Sequence, residues 1–227
     1  LRALGGCDWT IEAVTENLEI KRALIERAAC WRRPDAIFST NTSGIPLTEI
    51  AKGFPPELGR AFLGTHFFNP PRYLHLLELV SGPETDPEVL EFVASFAEIR
   101  LGKGVVRAKD TPNFIANRIG SFFSATALRL MVEGGYSVEE VDALTGPLIG
   151  FPKSASLRLA DIIGLDTWAC IAQNLCRLAP EDLWRERFQL PDFVARMIER
   201  GWLGEKTGQG FYRCAGAEGE IQAIDWR

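Results

Sequence analysis

Histidine is scarce in this chain, with only His66 and His75 among 227 residues. Chemistry that needs a base titrating near neutrality therefore has few candidates. There is no dense run of lysine and arginine, and the net charge is -5, which gives no support to nucleic-acid binding. No stretch of about 18 uninterrupted apolar residues exists, so nothing reads as a membrane span. The opening Leu1-Arg2-Ala3-Leu4 lacks the basic-then-apolar order of a signal peptide. The five cysteines, Cys7, Cys30, Cys170, Cys176 and Cys214, are odd in number, widely spaced and free of any Cys-x-x-Cys pair. That suits reduced thiols in a cytoplasmic compartment better than a disulfide framework or a zinc site, and no metal is expected. The chain does not start with Met and opens almost directly on a strand, so it reads as a piece of something longer.

What is present is ordinary for a soluble globular protein: 46% apolar and 24% charged residues, enough for one large domain or two modest ones. Short buried strands are expected at Trp9 to Val14, Ala36 to Ser39, Phe62 to Phe68, Leu74 to Val80 and Val105 to Ala108. Helical spacing falls between them, at Leu18 to Trp31, Thr48 to Lys52 and Pro87 to Arg100. Strands alternating with helices predict a largely parallel, Rossmann-like α/β sheet. After Asp110 the pattern becomes helical. Asn113 to Val132 is one long apolar helix, Ser137-Val138-Glu139-Glu140 is a capping box, and Leu157 to Ile163, Thr167 to Leu178 and Phe193 to Arg200 follow. The expected organisation is an α/β domain over residues 1–110 and an all-α domain over 111–227.

Three strands run straight into polar segments: Thr15-Glu16-Asn17, Asn41-Thr42-Ser43 and His66 to Asn69. In a parallel sheet the C-terminal strand ends share one edge, and ligands bind in the crevice outside it. Each segment alone is an ordinary turn. Their recurrence at matching places predicts one site.

A base that removes a proton from an alcohol wants a carboxylate to stabilise its imidazolium. The strands at Phe62 and Leu74 are joined by a Pro70-Pro71 turn, and folding back antiparallel about Arg72 puts position 66 opposite position 78. Glu78 stands there, inside the apolar run Leu76-Leu77-Glu78-Leu79-Val80, where a buried carboxylate needs a partner. A structural ion pair and a solvent-facing glutamate are the alternatives at this point. His75 is a lesser candidate, placed inside a strand and away from the polar strand end.

Ile11-Glu12-Ala13-Val14-Thr15-Glu16-Asn17-Leu18, Asn41-Thr42-Ser43-Gly44, His66-Phe67-Phe68-Asn69-Pro70, Glu78 and Asp110 to Arg118 resemble, in order and spacing, the L-3-hydroxyacyl-CoA dehydrogenases. Lys206-Thr207-Gly208-Gln209-Gly210-Phe211-Tyr212 resembles that family's C-terminal signature. The continuation Pro70 to His75, Gly146-Pro147 and Pro152-Lys153-Ser154 look most like the long bacterial form of fatty-acid β-oxidation, which also carries an enoyl-CoA hydratase module.

The resemblance implies oxidation of an L-3-hydroxyacyl-CoA to the 3-ketoacyl-CoA, with NAD taking the hydride. It implies that His66 takes the 3-hydroxyl proton, that Glu78 orients it, and that Ser43 and Asn117 bind substrate oxygens. Ala13, Glu16, Lys21, Ser43, Asn69 and Lys206 fall on the family's NAD contacts. By their surroundings alone Asn117 is a helix-packing residue, Lys21 a solvated charge and Lys206 an ordinary loop residue. The short members dimerise through the helical domain, which implies a homodimer here.

The Gly-x-Gly-x-x-Gly fingerprint is absent, since Gly5-Gly6 precedes a strand rather than following one. The acidic ribose-binding residue about 20 positions beyond that fingerprint is absent too, as is the family's CoA-holding helical segment. The isolated chain is thus expected to bind NAD weakly or not at all and to turn over negligibly beside the full-length protein. Two other readings compete: a non-catalytic relative such as the lens crystallin or an acyl-CoA-binding module, against which the His66/Glu78 pair argues, and a different β-hydroxyacid dehydrogenase. The latter generally place a lysine base on the helical domain.

Overall fold

Five apolar runs come together as one sheet: β1 (Trp9–Glu12), β2 (Ile37–Thr40), β3 (Phe62–Phe67), β4 (Leu76–Ser81) and β5 (Gly104–Ala108), in that spatial order. The computed structural model describes residues 1–215 and 220–227. The chain divides into two units, Leu1–Asn117 and Arg118–Arg227. In the first, β1, β2 and β3 are mutually parallel, β4 runs antiparallel to β3, and β5 is parallel to β4. Parallel neighbours need crossovers, supplied by α1 (Leu18–Ala29), the short α2 (Leu47–Ile50) and α3 (Pro56–Arg60), and α4 (Pro87–Leu101). The tight Pro70–Leu74 turn permits the single antiparallel pairing. The Rossmann-like α/β class expected from the sequence is the class observed.

Both faces of the sheet are covered. Ile25, Phe38, Leu47, Phe62 and Val80 form one core cluster, while Ile37, Leu63, Leu77, Leu79, Val93 and Ala97 form the other. Each fully buried Leu, Ile or Phe contributes roughly 1.5–3 kcal/mol. Strand pattern and burial part company in β1, which lies at a sheet edge. Ile11 is exposed there and the buried residue is Glu12. The strand stops at Glu12 rather than Val14, because the Val14 N–H turns back to donate to the Glu12 carboxylate at 2.6 Å. His75 is also relocated: it precedes β4 and is exposed.

The helix expected from Asn113 begins instead at Ala116, as α5 (Ala116–Gly134). Asn113 and Phe114 adopt left-handed backbone angles, φ 58° and 48°, which interrupt a right-handed helix and cost on the order of 1–2 kcal/mol each for residues with a Cβ. The second unit continues with α6 (Val138–Thr145), opened by the Ser137/Glu140 capping box, then α7 (Leu157–Ile163), α8 (Leu165–Leu178) and α9 (Asp192–Glu199). Leu128, Met131, Leu157, Leu165, Trp168, Val194 and Phe211 are its core. It is the helical domain the sequence predicts, with one addition: β6 (Tyr212–Ala215) and β7 (Glu220–Ala223) pair as an antiparallel hairpin. No helix among the described residues is long and apolar enough to cross a membrane. Cys7, Cys30, Cys170 and Cys176 are free thiols, and the Cys214 side chain lies outside the described residues.

Candidate active site

The β3–β4 ladder sets His66 against Glu78, the facing positions read from the Pro-Pro turn. Their side chains meet at 2.7 Å, His66 Nδ1 to Glu78 Oε2, and both are almost completely buried. The other carboxylate oxygen, Oε1, accepts the backbone N–H groups of Ile115 at 3.0 Å and Ala116 at 2.8 Å. These are the amides that the left-handed Asn113 and Phe114 aim at the strand. Burial alone pushes the Glu78 carboxyl up. The bonds from His66, Ala116 and Ile115 outweigh that push and hold it below its ordinary value. An ionised carboxylate can only accept, so Nδ1 carries the imidazole proton and Nε2 presents its lone pair. Phe68 and Phe114 rings flank the imidazole at 4.4 and 5.6 Å between centroids. The arrangement is an oriented, desolvated imidazole.

Beside it lie the ends of β1 and β2. Glu16 Oε1 gathers four donors from the loop after β2: the Thr42 hydroxyl at 2.5 Å and the amides of Ser43, Gly44 and Ile45 at 2.9, 3.0 and 3.4 Å. Asn41 ties that loop to β3 by accepting the Phe67 N–H at 2.9 Å. Asn117, in the first turn of α5, points its side-chain amide at the Ser43 carbonyl from 3.5 Å. A Cβ on Gly44 would lie 2.3 Å from Asn113 Oδ1, so any larger residue there must displace that side chain. Asp110 caps α2 by accepting from the Leu47 and Thr48 amides at 2.7 and 2.9 Å. Ser43, Asn117 and Glu16 thus form one hydrogen-bonded group, and His66 and Glu78 another that reaches the backbone just before Asn117, while Ala13 and Asn69 sit exposed at the ends of β1 and β3.

Lys21 is no solvated charge. Its ammonium is buried and donates to Glu12 Oε1 and Oε2 at 3.0 and 3.2 Å and to the Val14 carbonyl at 3.1 Å, with Glu16 Oε2 3.4 Å away. Glu12 Oε2 also accepts the Thr40 hydroxyl at 2.6 Å. Glu12 is absent from the residues that sequence reading singled out for the site. A signal existed, because like Glu78 it is a carboxylate within an apolar strand. Lys206 belongs to the second unit, where it pairs with Asp166 at 2.6 Å.

The chemistry of the strand ends fits the nicotinamide half of a dinucleotide. Ala13 leaves the end of β1 open, and the Glu16 side chain stays 40% exposed although Oε1 is pinned. A partly exposed carboxylate keeps acceptor capacity for a hydroxyl donor.

The profile of the family described as 3-hydroxyacyl-CoA dehydrogenase, NAD binding domain, matches residues 1–111. That of the 3-hydroxyacyl-CoA dehydrogenase, C-terminal domain, matches residues 114–214. A Bacillus subtilis protein named "Probable 3-hydroxyacyl-CoA dehydrogenase" is 52% identical over 92% of the chain and 26% of its own length. A Deinococcus radiodurans protein of the same name is 43% identical over 94% of the chain and 61% of its own length. The chain therefore spans between about a quarter and three-fifths of these relatives. The crystal structure of (S)-3-hydroxybutyryl-CoA dehydrogenase from Ralstonia eutropha is 32% identical with a TM-score of 0.80, covering 92% of this chain and 71% of that one.

Proposed function

Because the chain belongs to the 3-hydroxyacyl-CoA dehydrogenase family, we propose that the protein oxidises an L-3-hydroxyacyl-CoA to the 3-ketoacyl-CoA. NAD, when bound, supplies the hydride acceptor at C3. The observation that carries the reading is the buried His66–Glu78 contact of 2.7 Å.

The protein's part is then acid-base and positional. His66 Nε2 takes the proton of the 3-hydroxyl as the C–H bond is lost, and the imidazolium that forms is balanced by Glu78. Glu78 is restrained from turning by the Ile115 and Ala116 amides. Such proton transfer contributes roughly 10² to 10⁴-fold to the rate. Ser43 and Asn117, whose side-chain amide reaches the Ser43 carbonyl, are the groups proposed to bind the substrate's oxygens. Ala13, Glu16, Lys21, Ser43 and Asn69 are the contacts proposed for the nicotinamide ribose and amide. Holding donor and acceptor in line supplies a larger share of the acceleration than the base does.

The test is consumption of NADH with acetoacetyl-CoA, the reverse reaction. The isolated chain, which lacks the Gly-x-Gly-x-x-Gly unit, is expected to turn over negligibly; saturable turnover is expected once that unit is supplied in the same protein. Absence of that turnover, from folded protein that binds both ligands, overturns the proposal.

A further inference from the structure

Two consecutive prolines take two backbone donors out of the β3–β4 turn, since neither Pro70 nor Pro71 carries an N–H. The turn's own bonds come from the Tyr73 and Leu74 amides, which share the Pro70 carbonyl at 3.0 and 3.1 Å. The carbonyls of Pro71, Leu74 and His75 must find donors elsewhere. Two consecutive residues at the start of β5 supply them. Lys103 Nζ donates to the Pro71 carbonyl and, at 2.6 Å, to that of Leu74. The Gly104 N–H donates to the His75 carbonyl at 2.9 Å. Lys103 is brought there by the end of α4, where Gly102 closes the helix with a left-handed backbone, φ 64°. The Lys103 N–H then donates to the Ala97 carbonyl at 3.0 Å, and its ammonium lies 5.8 Å from the centre of the Phe67 ring.

We propose that Lys103 is a positioning residue: it holds the turn from Pro70 to His75, and with it Asn69, the contact proposed for the cofactor at the end of β3. The facing of His66 and Glu78 does not depend on it, because the β3–β4 ladder and the Ile115 and Ala116 amides fix that pair separately. Loss of Lys103 therefore loosens the cofactor side of the site and spares the base. The inference rests on the dehydrogenase reading for its kinetic consequence, but not for its structural one.

Lys103→Met keeps the side-chain stem and removes the donors. Amide hydrogen exchange in this chain is expected to quicken about tenfold at Tyr73 and Leu74, the size of one lost hydrogen bond to a charged group. Amides of the β3–β4 ladder keep wild-type rates, and Lys103→Arg, which retains charge and donors, restores most of the protection. In protein that also carries the Gly-x-Gly-x-x-Gly unit, Lys103→Met raises the KM for NADH about tenfold and changes kcat by less than about threefold. Wild-type exchange in the turn overturns the proposal. So does equal acceleration throughout the ladder, which is the mark of general destabilisation, and so does an unmoved KM beside a loosened turn. Hydrogen exchange needs no turnover, so an inactive wild type would count against the dehydrogenase reading while the exchange data still decide whether Lys103 holds the turn.

Discussion

Glu78 in the α/β unit and Asp161 in the helical unit face the same local problem, yet their carboxyl pKa values are displaced in opposite directions. Each is about 1% exposed and each accepts two backbone N–H groups, Ile115 and Ala116 for Glu78, Phe211 and Tyr212 for Asp161. Glu78 is held below its ordinary pKa. Asp161 is pushed up to about 6, first by burial and also by Asp142, with the two amides and Arg158 acting in the other direction. The difference lies in His66. A buried carboxylate with an imidazole partner stays ionised and can orient a base, while one with amides alone serves as an anchor. Asp161 anchors the Lys206–Tyr212 signature: a Cβ on Gly210 would lie 2.0 Å from its Oδ1, and one on Gly204 2.2 Å from its carbonyl oxygen. One unit sets its buried carboxylate against an imidazole, the other against backbone amides.

The largest effect that sharpens this contrast is expected from His66→Ala. It lowers kcat by roughly 10² to 10⁴-fold while acyl-CoA binding persists, as NADH consumption and a binding titration would measure. An unchanged kcat erases the distinction. Asp161→Ala strands two buried amides and costs about 2–4 kcal/mol of stability. Calorimetry should record this as a melting point several degrees lower, with kcat per folded molecule unchanged. Gly210→Ala displaces the Asp161 carboxylate and costs about 1–3 kcal/mol, again visible in melting but not in kcat.

The smallest effect is in pH. Between an ordinary aspartate's value and about 6, folded Asp161 keeps a proton that the unfolded chain has released, so stability falls as pH rises through that window. Glu78 has the reverse sign: its contribution is present above its unfolded value and is lost as pH falls through its lower folded one. Carboxyl carbon shifts in NMR should show Asp161 titrating well above Glu78. The opposite order breaks the comparison.

The same two residues show what the sequence makes legible. Register between β3 and β4 is local, fixed by one short turn, so the facing of His66 and Glu78 follows from counting. The polar ends of β1, β2 and β3 were legible for a similar reason, because parallel strands share an edge. Asp161 was not, since its partners lie 50 and 51 residues away and nothing local announces them. Nor was the late start of α5: apolar periodicity runs through Asn113 and Phe114, and only their contact with the rest of the fold imposes left-handed angles. Glu12 was missed because Trp9 to Val14 reads as a buried apolar strand, whereas at a sheet edge its inward position is the charged one.

Glu78→Gln bears most directly on the claim that His66 is a base held by Glu78. The amide's carbonyl must face the Ile115 and Ala116 N–H groups, so its NH₂ donates to Nδ1 and forces the proton to Nε2. The shape is kept and the lone pair is lost. Turnover is predicted to fall by about 10² to 10⁴-fold, no further than in His66→Ala, with the melting temperature and acyl-CoA affinity close to wild type. A Glu78→Gln protein that folds, binds and turns over like the wild type would contradict the account.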